Sequence, residues 1–184
     1  MTVLEQSNVD LVKSYLGQLE VIENLAFVDP AFETKMRNVG WLPPDAWCAA
    51  LGKLVFLETA MLHDPAAVPL VKEYFNLSAV ETYENCARSP QYHVHQDPQV
   101  GHGVVWRDGQ TEQGHFGIVV GLTPTGFISI EGNTSDPNHP AYKNGVLVTD
   151  PREGYIVAQH VHILPSPDPN GLHVIGFISP NRIV

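Results

Sequence analysis

A β-hairpin is predicted for residues 114–133, which read GHFGIVVGLTPTGFISIEGN. Two runs of β-branched and aromatic residues flank the turn Thr123-Pro124-Thr125-Gly126, and a turn cluster between two such runs is typical of paired antiparallel strands. Pairing about this turn places His115 opposite the neighbourhood of Glu131–Asn133, within side-chain reach. Because residues two apart on a strand face the same side, we expect Glu131 and Asn133 to share one face.

This hairpin belongs to a strand-rich second half of the chain. Short β-branched and aromatic runs predict strands at Gly103–Trp106, Phe116–Leu122, Gly126–Glu131, Gly145–Thr149, Tyr155–Leu164 and Leu172–Ser179. Clusters of turn residues join these runs, so we expect a mainly antiparallel sheet.

The first half of the chain has the apolar spacing of helices. Apolar residues at three- and four-residue steps predict an amphipathic helix from Val9 to Phe27. Further helices are predicted at Ala31–Asn38, Ala46–Leu62, Ala66–Phe75 and Ser78–Ala87. Helices first and strands after predict an α+β fold in which N-terminal helices pack on the sheet around one core.

Composition and charge restrict the classes of partner. The chain has 184 residues, of which 43% are hydrophobic, and this fits a single globular domain over residues 1–184. Its formal net charge of −10 argues against nucleic acid and against an anionic membrane surface as partners. The N-terminus lacks the basic start and apolar run of a signal peptide, and no stretch approaches the roughly 18 apolar residues of a membrane span. We therefore expect synthesis in the cytoplasm and a separate route to any external substrate.

Cys48 stands near the predicted start of a helix, in the segment DAWCAA at residues 45–50. If Asp45 is the N-cap, Cys48 is the third helical residue, and the unpaired N–H groups of the first turn lie near its sulfur. This placement favours the thiolate, which is the nucleophilic form, and the same N–H groups suit a developing oxyanion. The alternative is a free cysteine packed as a small apolar side chain, which is our interpretation of Cys86.

A thiol nucleophile needs a base, and the base needs a group that orients it. His115 at the start of the hairpin supplies an imidazole, and the glycines around it allow a substrate to approach closely. Glu131 and Asn133 are the candidates to orient the ring. The alternative is that Glu131-Gly132-Asn133 is only the polar end of a strand that enters a loop.

Three segments resemble the CHAP superfamily (cysteine, histidine-dependent amidohydrolases/peptidases): WCAA at residues 47–50, GHFGIVVG at 114–121 and IEGNT at 130–134. They occur in the family's order, with 67 positions from Cys48 to His115 and 16 more to Glu131. The resemblance implies a papain-like α+β fold without a cofactor. It implies Cys48 as nucleophile and His115 as base, with Glu131 and Asn133 orienting the imidazole.

The resemblance also implies a substrate and a place of action. It is closest to the branch found in bacterial and bacteriophage wall-active proteins, so the expected partner is peptidoglycan or its stem peptides. The expected reaction is hydrolysis of an amide bond in the stem or cross-bridge peptides, or at the sugar–peptide junction. The enzyme would meet the wall in the periplasm or outside the cell, after phage lysis or secretion.

A metal enzyme is a rival interpretation. His93-Val94-His95 and His160-Val161-His162 each place two imidazoles on one strand face, where they suit a shared metal. Neither pair has an acidic ligand at a recognisable spacing, so we interpret them as solvated surface histidines and expect no metal site. Two further interpretations stay open: a thiol hydrolase that acts on a protein or a non-wall amide, and an inactive binding or scaffold module of the same fold.

Overall fold

The computed structural model describes residues 1–21, 25–136, 154–165 and 171–182, and also the backbone of 142–143 and 146–147. Within them the helices come first: α1 (Val3–Ser14), α2 (Pro30–Asn38), α3 (Cys48–His63), a 3-10 turn (Pro65–Ala67), α4 (Val68–Tyr74) and α5 (Ala79–Arg88). The strands follow: β1 (Tyr92–His95), β2 (Gly103–Asp108), β3 (Gly114–Thr123), β4 (Gly126–Thr134), β5 (Tyr142–Lys143), β6 (Val146–Leu147), β7 (Ile156–Ile163) and β8 (Leu172–Arg182). The predicted α+β class is confirmed.

Six of these strands form one antiparallel sheet in the order β1-β8-β2-β3-β4-β7. The predicted hairpin is the β3–β4 pair, in which Thr123 pairs with Gly126 and Gly117 pairs with Glu131. A two-residue loop therefore joins the strands, and a bulge between Val119 and Gly121 shifts their register by one residue. The hairpin prediction is confirmed, and His115 and Glu131 lie on the same face.

The helices cover one face of the sheet. A large buried cluster joins α3 to β3 and β4 through apolar side chains that include Leu51, Val55, Phe116, Ile118 and Ile130. α3 lies close to the sheet because Gly52 has no side chain, and a Cβ at this position would meet the Phe116 ring at 2.3 Å. This close packing fixes α3 relative to β3, and therefore Cys48 relative to His115.

The opposite face of the sheet carries a smaller apolar cluster. It consists of Val104, Trp106, Val119, Phe127 and Phe177, which are at most 4% exposed. Strand pairing places His115 beside Trp106 and His162 beside Phe127 on this face. The aromatic rings of this cluster thus lie directly against two of the histidines.

The first helix is shifted from its prediction of Val9–Phe27. It begins at Val3, because Thr2 and Glu5 form a capping box, and it ends at Ser14. The chain then runs along the edge of the sheet, where Leu19 forms a bridge with Ile156 of β7. Its apolar spacing continues past Ser14, but pairing with the sheet outweighs the local helical preference there.

The other predicted helices and strands differ less from the observed ones. The remaining helices are confirmed with end shifts of at most two residues, although the segment at Ala66 begins as a 3-10 turn. β1 was not predicted, and it pairs with the distant strand β8. The predicted strand Gly145–Thr149 lies largely outside the described residues, which retain only β6 of it. Among the described residues, no helix has both the length and the apolarity that crossing a membrane requires.

Candidate active site

Cys48 is the first residue of α3, not the third as the sequence predicts. The N-cap is Trp47, which makes no side-chain cap hydrogen bond, so the prediction of Asp45 as N-cap is wrong. Asp45 belongs to the preceding turn instead, because its N–H donates to the Leu42 carbonyl at 2.9 Å and its own carbonyl accepts from Trp41 Nε1 at 2.7 Å. Cys48 nevertheless lies in the first turn, where N–H groups have no intrahelical partner.

Trp47 holds this end of the helix against β4. Its side chain is fully buried, and its Nε1–H donates to Glu20 Oε2 at 3.1 Å. Gly132 allows the contact, since a Cβ there would lie 2.6 Å from the Trp47 ring and 2.8 Å from Leu51. The glycine between Glu131 and Asn133 therefore lets β4 approach the start of α3, which brings the hairpin to the nucleophile.

The His115 imidazole joins Cys48 to Glu131. Its Nε2 lies 2.9 Å from Glu131 Oε2, and its ring lies close enough to Cys48 for each group to shift the pKa of the other. Gly117 makes room for the Glu131 side chain, because a Cβ at this position would lie 2.7 Å from Glu131 Cγ. The structure thus brings the predicted nucleophile, base and acid into one chain of contacts.

The surroundings of Cys48 favour its thiolate. Burial alone would raise the pKa of this thiol, but the imidazolium charge of His115 and a hydrogen bond to its ring act in the opposite direction. The backbone N–H groups of Phe116 and Ala49 also bond the sulfur, and the pKa of Cys48 ends below its ordinary value. By contrast, burial raises the pKa of Cys86, which is fully buried.

Cys48 and Glu131 together favour the protonated form of His115. Burial alone would lower the pKa of His115, but the Cys48 thiolate and the Glu131 carboxylate outweigh it and raise the pKa to about 10. Burial would likewise raise the pKa of Glu131, yet hydrogen bonds from His115 and His162 hold it far below its usual range. The directions of these three pKa shifts favour a thiolate–imidazolium pair with an ionised carboxylate behind it.

Asn133 does not take part in this chain of contacts. Its backbone has φ of 53°, and the pairing of β4 with β7 shifts register between Glu131 and Thr134. Regular alternation is lost at this irregularity, so the two-residue spacing no longer determines which face Asn133 shares. The Asn133 Oδ1 atom is buried without a hydrogen-bond partner, so it does not bond His115, whose Nε2 is held by Glu131. The structure therefore assigns the orienting contact to Glu131.

Sequence reasoning missed the contact of His162 with Glu131. His162 Nε2 lies 2.7 Å from Glu131 Oε1, and the interpretation of this histidine as a solvated surface residue is wrong. Its pattern with His160 was visible in the sequence, but its partner depends on the pairing of β7 with β4. The neighbouring His160 has a different contact, with Thr134 Oγ1 at 3.0 Å.

The histidine pairs do not assemble a metal centre in the described part of the chain. No group of three or more His, Cys, Asp or Glu side chains there has the arrangement that would hold a metal ion. His93, His95 and His102 lie near one another, with ring centroids 5.9 and 5.3 Å apart in succession. His102 is 1% exposed and lies 3.4 Å from Glu5 Oε1.

Comparison with protein-family models, with curated proteins and with solved structures found no match to this chain.

Cys48 should react with iodoacetamide much faster than Cys86 in the native protein. Only the thiolate is alkylated, and the lowered pKa of Cys48 keeps this form as the pH falls below the ordinary thiol pKa of about 8.5. Its reactivity should decline only when the pH falls through the lowered pKa. The measurement is mass spectrometry of labelled peptides over a series of pH values near and below 7.

The denatured protein is the control, because both thiols are then exposed and should label at similar rates. Equal labelling of Cys48 and Cys86 in the native protein would contradict the reactive assignment of Cys48.

Proposed function

We propose that this protein is a cysteine-dependent amidohydrolase or peptidase that cleaves an amide bond of peptidoglycan peptides. The observation that carries the proposal is the chain of contacts from Cys48 at the start of α3, through His115, to the buried Glu131 carboxylate. A nucleophile, a base in hydrogen-bond reach and a third group that orients the base are the parts that thiol catalysis needs. The papain-like arrangement implied by the CHAP resemblance is part of this proposal.

The site supports a two-step reaction. The Cys48 thiolate attacks the amide carbonyl, and N–H groups of the first turn of α3 stand where they suit the resulting oxyanion. The imidazolium of His115 then gives its proton to the departing amine as the C–N bond breaks, which leaves a thioester on Cys48. Water, deprotonated by His115, hydrolyses the thioester, and departure of the Cys48 thiolate restores the thiolate–imidazolium pair.

Glu131 has a defined part in both steps. Its carboxylate holds the His115 ring at 2.9 Å and stabilises the imidazolium each time the ring carries a proton. Both oxygens of the carboxylate accept hydrogen bonds, so the group stays ionised although it is only 4% exposed. This buried charge is a costly feature for a protein that only binds, and it favours an enzyme over an inactive scaffold.

The choice of wall peptides as substrate comes from the three CHAP-like segments and their order in the chain. The place of action follows from the substrate, so we propose that the enzyme works in the periplasm or outside the cell after phage lysis or secretion. A non-wall amide or protein substrate is the alternative that the same catalytic groups would serve.

Digestion of purified peptidoglycan tests the proposal directly. We expect wild-type protein to release fragments whose masses show one hydrolysed amide bond, with a new amino group and a new carboxyl group at that bond. Intact glycan strands are part of this expectation. Fragments cut between sugars, or no release at all from walls of several cross-link types, would contradict peptidoglycan amidase or endopeptidase activity.

A further inference from the structure

Two further side chains, besides the proposed base His115, donate hydrogen bonds to the Glu131 carboxylate. Oε2 accepts from His115, whereas Oε1 accepts from His162 Nε2 at 2.7 Å and from the Ser129 hydroxyl. An ionised carboxylate only accepts hydrogen bonds, so both histidines donate their Nε2–H to it. The carboxylate therefore bridges two imidazoles, one that reaches the nucleophile and one that does not.

Two aromatic side chains hold the His162 ring in place on the sheet. Its ring stacks on Phe127 with centroids 5.0 Å apart and an interplanar angle of 27°, and it lies 5.0 Å from the Trp106 ring. Trp106 also lies 5.5 Å from the His115 ring. The indole thus contacts both imidazoles that bracket the carboxylate, and the side chain of His162 stays 26% exposed.

We propose that His162 is a positioning residue of the reaction, which holds the Glu131 carboxylate in the orientation that His115 requires. This inference rests on the proposed function, because it assigns His162 a part in the same thiol hydrolysis. Without His162, only the Ser129 hydroxyl would remain on Oε1. A rotatable hydroxyl alone restrains the carboxylate less than a hydroxyl together with an imidazole N–H on a packed ring. Outer hydrogen bonds of this kind orient the groups that contact the reacting atoms.

The charged neighbours of Glu131 are few among the described residues. His115 reaches it from β3 and His162 from β7, with Cys48 of α3 beyond His115. The hydrogen bond and the charge of His162 both lower the pKa of Glu131. Loss of His162 therefore raises the pKa of Glu131, and a protonated Glu131 no longer stabilises the imidazolium. The acid limb of Cys48 reactivity should then move to higher pH.

The test compares two substitutions at the same position. His162→Phe keeps a ring between Trp106 and Phe127 but removes the donor, whereas His162→Gln supplies an amide donor at a similar reach. We expect His162→Phe to lower kcat on solubilised peptidoglycan by roughly ten-fold with KM little changed, and His162→Gln to recover most of kcat. His160→Phe is the matched control, since His160 lies on the same strand and bonds Thr134 instead, and it should behave as wild type.

A second readout needs no substrate. The rate of Cys48 alkylation by iodoacetamide is measured against pH for wild type, His162→Phe and His162→Ala, with circular dichroism to verify folding. The acid limb should move to higher pH in both variants, and His162→Ala serves if the phenylalanine variant does not fold. Wild-type kcat and an unmoved acid limb in these variants would overturn the inference. Absence of hydrolysis by wild type would instead contradict the proposed function, and the alkylation profile would still decide the role of His162.

Discussion

Replacing Cys48 with alanine should lower the rate of peptidoglycan hydrolysis by at least about a thousand-fold. In the proposed reaction the Cys48 thiolate forms the covalent bond to substrate, and Cys86 cannot replace it, because the Cys86 side chain is fully buried. Cys48 is 7% exposed and starts α3, so removal of its sulfur should leave the fold intact. Initial rates on solubilised peptidoglycan, with thermal unfolding as the folding control, measure the effect.

Two further variants show whether the loss is specific. Cys86→Ala removes the second cysteine sulfur of the chain and should retain the wild-type rate, although it loses some stability. His115→Ala combined with Cys48→Ala should be no slower than Cys48→Ala alone, since residues that act as a unit do not contribute additively. Substantial hydrolysis by Cys48→Ala would mean that another group performs the chemistry.

The β3–β4 hairpin and the start of α3 could be predicted because they depend on local sequence signals. Residues 123–126 form a short turn between two strand-like runs, so the pairing of β3 with β4 follows from the sequence. The exact register does not, because a bulge between Val119 and Gly121 shifts it by one residue. Counting from the turn alone would pair Glu131 with Ile118, whereas the bulge pairs it with Gly117 and so turns it to the face of His115. The start of α3 was predicted within two residues, because turn residues precede a run of strong helix formers there.

What could not be predicted depends on pairings between distant segments. β8 lies between β1 and β2, and the four residues of β1 carry too little pattern to identify a strand that exists only through that pairing. The contact of His162 with Glu131 could not be predicted for the same reason, since the His162 ring meets Glu131 only when β7 pairs with β4. Tertiary contacts of this kind override or add to the preference of a segment for helix or strand. The spacing of apolar residues within one segment contains no information about such contacts.

Glu131 and Asn133 show what the two-residue spacing of a strand predicts and what it does not. The two-residue spacing predicts one face for both, but Asn133 has a positive φ that strand periodicity gives no means to anticipate. The sequence also suggests that both side chains end a strand outside the core. Glu131 is instead only 4% exposed, since Ser129 and the two histidines satisfy its oxygens within the protein.

Glu131→Gln should lower kcat by roughly ten-fold or more, a barrier increase of about 1.4 kcal/mol or greater. The substitution preserves the volume of this buried side chain but removes the charge that stabilises the His115 imidazolium. The alkaline limb of activity should move to lower pH at the same time, because the pKa of His115 falls when the carboxylate charge is lost. Rates across a pH series, with circular dichroism as the folding control, measure both effects.

Asn133 requires a glycine variant for a fair comparison. At φ of 53° an alanine would be strained by roughly 1–2 kcal/mol, whereas glycine adopts this conformation readily. We therefore expect Asn133→Gly to retain both rate and stability, since the Oδ1 atom it removes has no hydrogen-bond partner, and Asn133→Ala to lose stability with little change in kcat. If Asn133→Gly proves slower than Glu131→Gln while remaining folded, the amide acts on His115 or on the substrate during turnover. Glu131 would then be the lesser of the two groups, and its assignment as the residue that orients His115 would be wrong.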